Sequence, residues 1–96
     1  MANQQHLQAQ RVAELVQRIH ADALDERAHY ELACEYLREG ALLQAAAEFR
    51  RCVELNPEFV AAWQGLADAY RAAGVEKEAR IAEDKVRALG APQALL

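Results

Sequence analysis

The side chains able to do chemistry in this 96-residue chain are three histidines, two cysteines and fifteen carboxylates. His6, His20 and His29 have no cysteine or carboxylate set at metal-ligand spacing, so no metal site is expected. Cys34 and Cys52 stand too far apart for a Cys-x-x-Cys redox motif and are too few for a disulfide framework. Neither has a glycine-rich turn or a neighbouring histidine to activate it, which leaves both as small packing residues. Glu31, Glu35 and Glu39 recur at helical spacing with arginines nearby, the pattern of a solvated face with weak ion pairs. The chain has no serine or threonine, which removes hydroxyl nucleophiles and phosphorylation on those residues. There is no phosphate-cradling glycine loop. The expectation is a protein with no catalytic residues, no cofactor and no metal, and not an enzyme.

With no catalytic cluster to position, the elements must be read for surface. The length suits one domain, and the frequent alanines with few β-branched residues favour helix over sheet. A net charge of -4 without a concentrated basic patch argues against a nucleic-acid partner. No apolar run approaches the roughly 20 residues needed to span a bilayer. Met1 to Gln10 lacks the basic-then-apolar order of a secretory signal, so a cytoplasmic location with reduced thiols is expected.

The chain repeats itself. Shifting Glu26 to Pro57 forward by 34 positions pairs Ala28 with Ala62, Leu32 with Leu66, Ala33 with Ala67, Tyr36 with Tyr70, Gly40 with Gly74, Ala45 with Ala79 and Leu55 with Leu89. These identities fall on apolar or glycine positions, where a repeated fold needs them. Leu32, Ala33 and Tyr36 share one helical face, as do Leu66, Ala67 and Tyr70. Gly40 and Gly74 suit the left-handed residue just past a helix end. At the unit junction, Asn56 is placed to cap the next helix, Pro57 to occupy its first position and Glu58 to complement its dipole, with Asp22 a weaker version upstream.

Five helices follow: Gln4 to His20, Glu26 to Arg38, Leu42 to Leu55, Glu58 to Arg71 and Glu76 to Leu89. The expected organisation is one helical repeat domain over 1–96, with a leading helix at 4–20, one unit at 26–57, a second at 60–90 and a tail at 91–96 that is either frayed or docked on a neighbour.

A 34-residue period, two helices per unit and a proline near the unit end resemble the tetratricopeptide repeat family. Trp63, Leu66, Ala67 and Tyr70 match the first half of its pattern, and Ala45, Phe49, Cys52 and Pro57 the second. His29 departs from the expected Trp, Glu83 from an aromatic, Val86 from Ala and Ala91 from Pro. The last helix is therefore expected to act as a polar cap. Leu15 and Ile19 fall 34 before Phe49 and Val53, so the leading helix resembles the second half of a preceding unit. The resemblance implies an all-α fold, a right-handed stack of antiparallel helix pairs of about two and a half repeats.

The same resemblance implies that the first helix of each unit lines a concave wall where a protein or peptide binds. It places Arg27, Tyr30, Cys34, Leu37 and Arg38 there from one unit, and Ala61, Gln64, Asp68 and Arg71 from the next. Tyr30 and Leu37 have two available roles: to anchor an incoming peptide or helix, or to pack on the leading helix. Arg38 and Arg71 suit a carboxylate or carbonyl. The family's lysine and asparagine clamp for chaperone tails is missing, since Tyr30, Cys34 and Gln64 stand at those positions. The alternative function is self-assembly into a homo-oligomer through the terminal helices.

Overall fold

A computed structural model of the chain describes residues 3–90, which form five helices and no strand. They are α1 (Asn3–Ala21), α2 (Glu26–Glu39), α3 (Leu42–Leu55), α4 (Val60–Ala72) and α5 (Glu76–Gly90). The fold is the helical-repeat stack expected; the 91–96 tail lies outside the described residues.

Both units turn in the same way. Gly40 and Gly74 take φ of 79° and 78°, the left-handed conformation that carries a penalty for any side chain. The amides of Gly40 and Ala41 reach back to the carbonyls of Leu37 and Tyr36, and those of Gly74 and Val75 to Arg71 and Tyr70. This paired closure satisfies carbonyls that the helix end leaves open. It reverses the chain and lays α3 against α2 and α5 against α4.

The junctions between units correct one expectation. Asn56 does not cap α4: its side-chain oxygen accepts from the amide of Glu58, 3.1 Å away, so the chain turns through Pro57 and Glu58 before the helix begins. The first helical bonds go instead to the carbonyl of Phe59, from Ala62 and Trp63. Asp22, one period earlier, makes the same turn with Leu24 at 3.0 Å. The capping positions Asp25 and Phe59 are likewise a period apart, but only Asp25 bonds its helix, accepting from Ala28 at 2.9 Å. Phe59 uses its position differently, stacking on Tyr30 with ring centroids 5.0 Å apart.

The core runs from α2 through α5 around Phe49, which is fully buried. Its ring lies on Gly65, where an added Cβ would meet ring carbons at 2.4 Å, so this glycine is what lets α4 approach α3. Small residues Ala33, Ala45, Ala62, Ala67 and Ala69 fill the remaining close approaches. His29 is buried as the stand-in for Trp, holding Glu48 at 2.7 Å and the carbonyl of Ala23 at 3.0 Å. One period on, Trp63 and Ala82 replace this pair, so a large-with-small combination fills what a polar pair fills in the first unit.

Candidate functional site

Neighbouring first helices α2 and α4 touch, whereas α1, α3 and α5 do not touch one another. The stack therefore curves with α2 and α4 on the inside. The expected binding residues on α2 and α4 are all present in the structure, in differing degrees of engagement.

Tyr30, Cys34 and Leu37 are half-buried and rest on the core cluster. Tyr30 packs forward, edge-on to Phe49 at 5.7 Å and stacked on Phe59. Burial raises the pKa of its hydroxyl and of the Cys34 thiol beside it. Arg27, Gln64 and Asp68 are exposed, and Gln64 donates to Asp68 across one turn at 3.0 Å. The two arginines meant for an incoming carboxylate already hold carboxylates of this chain. Arg38 donates to Glu35 at 2.6 Å, and Arg71 donates to Glu83 through Nε at 2.9 Å and a terminal nitrogen at 2.5 Å, with Glu76 at 3.8 Å. A ligand acid at either place must share or displace an internal partner.

Two surface features were not legible as sites. The first is a groove on the outside of the stack, about 430 Å³, lined by apolar residues including Val53, Trp63, Leu66, Tyr70 and Ile81 together with the charged Arg50, Glu54 and Glu78. Ile81 is 50% exposed there. Trp63 is anchored by donation from Nε1 to the carbonyl of Pro57 at 2.7 Å, and Lys85 lies over its ring at 5.8 Å. Trp63 and Tyr70 stand out in the sequence only as matches to the family pattern; Ile81, where the first unit has Ala47, was the available signal.

The second is a polar cleft between α1 and α2, about 810 Å³, lined by residues including Leu7, Gln8, Arg11, Glu14, Glu35 and Arg38. Glu35 is the exception to the solvated row expected of Glu31, Glu35 and Glu39. It is 3% exposed and holds Arg11 at 3.1 Å as well as Arg38. Its repeat partner is Ala69, a buried alanine, and that correspondence was the overlooked signal.

The thiols are poor nucleophiles. Burial pushes Cys52 up to about 12, and its Sγ donates to the carbonyl of Glu26 at 3.4 Å. Since the thiolate is the reactive form, a thiol held this high is chemically quiet near neutral pH. Among the described residues no group of three or more His, Cys, Asp or Glu side chains is placed to hold a metal ion, and no helix is long and apolar enough to cross a membrane.

The fold is a tetratricopeptide-like stack of helix pairs. Crystal structures of MamA and of MamA protein share it, with TM-scores of 0.81 and 0.79 at 22% and 23% sequence identity. Each match covers 88% of this chain but only 50% and 46% of the other, so the chain spans about half the length of these proteins. No protein-family model matches the sequence.

Proposed function

We propose that the chain is a protein-interaction module that binds a peptide or helix of a partner protein on the α2/α4 face. The observation that carries this reading is the half-buried run of Tyr30, Cys34 and Leu37 on the inner side of the curve, bordered by the exposed polar groups of Arg27, Gln64 and Asp68. An apolar strip with a polar rim is the make-up of a binding surface whose centre excludes water while its edge sets orientation. Arg38 and Arg71 add positive charge at the margin, moderated by Glu35, Glu76 and Glu83.

Arg27 and Asp68 are the residues to test, because both are exposed and neither supports the core. A binding segment is first selected on the wild type from a displayed peptide library. The double substitution Arg27→Glu and Asp68→Lys leaves stability nearly unchanged and weakens that segment at least about tenfold, or 1.4 kcal/mol. Unchanged affinity in a folded variant would put the binding surface elsewhere. The second reading is self-association through a terminal helix, and the charged joint between α1 and α2 is the observation that favours it.

A further inference from the structure

The joint between α1 and α2 is built from different material than its counterpart between α3 and α4. Where α3 and α4 bring Ala45 and Ala69 together in the core, the residues one period earlier are Arg11 and Glu35. Where α3 buries Cys52, α1 has Arg18, which reaches Glu31 at 3.1 Å and Asp25 at 3.3 Å. Leu15 is the buried hydrophobic residue of α1, whereas α3 buries Ala45, Ala46, Phe49, Cys52 and Val53. Among the described helices α1 packs on α2 and on nothing else. Its docking is thus one buried leucine with Val12, Val16 and Ile19 only partly buried beside it, set between Arg11 and Arg18, at i, i+4 and i+7, which face Glu35, Glu31 and Asp25.

Such a joint is selective but weakly held. The arginine side chains are 59% and 46% exposed, so their pairs are screened by salt. Glu35 gives up most of its hydration when α1 is docked, and lifting α1 away returns it, which offsets the ion pairs lost. The cleft beside Glu35 opens this end of the joint, where Leu7 is exposed and Val12 only partly buried. A four-residue connection, Asp22 to Asp25, separates the two helices and spans about 13 Å if straightened.

From this we infer that the α2 surface beneath α1 is an exchangeable helix site, occupied by the chain's own α1 or by α1 of a second copy. The occupant is fixed by charge complementarity: the acids Asp25, Glu31 and Glu35 with the buried Leu32 between them match a helix carrying Arg11, Leu15 and Arg18. The exchanged pair makes the contacts of the closed form, so only the connection changes. Intramolecular docking dominates in dilute solution because the local concentration of the chain's own α1 is high. This inference deepens the self-association reading and is independent of the α2/α4 face.

Complementary charge reversal tests it. Arg11→Glu alone sets two acids against each other in its own joint, and Glu35→Arg alone sets three arginines together. Mixed in equal amounts, the α1 of each variant meets an opposite charge only on the other chain. Each variant alone should sediment as a monomer and the mixture at twice that mass, while a single chain carrying both changes stays monomeric. A mixture of folded variants that remains monomeric overturns the inference. Hydrogen exchange of the wild type gives an arm that needs no variant: amides of Val12, Leu15 and Ile19 should exchange at least tenfold faster than those of α3, and faster still in high salt. Equal protection of α1 and α3 at every salt concentration would also overturn it.

Discussion

At the scale of single residues, Phe49 and Gly65 carry the contact on which the approach of α3 and α4 depends. Alanine at a helical glycine ordinarily adds up to about 1 kcal/mol of stability. Here its Cβ would fall 2.4 Å from a ring that is buried on all sides and has no room to move. Gly65→Ala is therefore expected to destabilise by about 1–3 kcal/mol, measured as a lower urea midpoint. Asp25 ties stability to pH. The Ala28 amide, with Arg18, holds its carboxyl below the ordinary 3.8, so its contribution is complete above that value and is lost as pH falls through the lower folded-state pKa. Asp25→Ala should lose about 1 kcal/mol at pH 6, and the gap to wild type should narrow below pH 3.8 in acid titrations of the urea midpoint. The thiols give a third check. With Cys52 pushed up to about 12 and Cys34 also raised by burial, iodoacetamide at pH 8, where an ordinary thiol is about one quarter ionised, should modify Cys34 slowly and Cys52 only after unfolding, as read by mass spectrometry. The residues that were misread from sequence, Asn56 and Glu35, share a cause. Each has a local pattern pointing one way, a helix cap and a charged row, while its contacts are set by the bond to Glu58 and by Arg11 on another helix.

At the scale of helices, much was legible because the repeat doubles the information: Gly40 with Gly74, and Leu32 with Leu66, mark two turns and two faces at once. The helix identities needed only periodicity and the glycine turns. What periodicity could not supply is how tightly adjacent helices join, because that depends on side chains from different helices, such as Arg11 with Glu35. The far end of the stack shows how a helix pair is finished. Leu37 and Phe49, which meet the next unit in the first pair, become Arg71 and Glu83 in the second, and these bond each other. That exchange puts an ion pair on the α4/α5 surface where the first pair presents apolar residues. Restoring the first unit's residues with Arg71→Leu and Glu83→Phe should expose an apolar seat and cause concentration-dependent association in sedimentation. A variant that stays monomeric at all concentrations would show that this ion pair is not what keeps the α4/α5 surface from associating.

At the scale of the whole molecule, the two and a half helix pairs form one curved body in which α2 and α4 approach while α1, α3 and α5 stand apart. This curvature follows from the sequence only through the family resemblance, since which helices line the inner side depends on how pairs stack. For the residues expected on the inner face, the sequence did not carry their engagement: Tyr30 is held by Phe49 and Phe59, and Arg71 by Glu83. The outer groove around Trp63 and Ile81 competes with the inner face as a place for a ligand. The measurement that separates them is chemical-shift mapping of the full chain with and without the segment selected for binding. Binding on the α2/α4 face predicts shifts centred on Arg27, Cys34, Leu37, Gln64 and Asp68, with little change at Val53, Trp63 and Ile81. Shifts centred on Val53, Trp63 and Ile81 instead would contradict it.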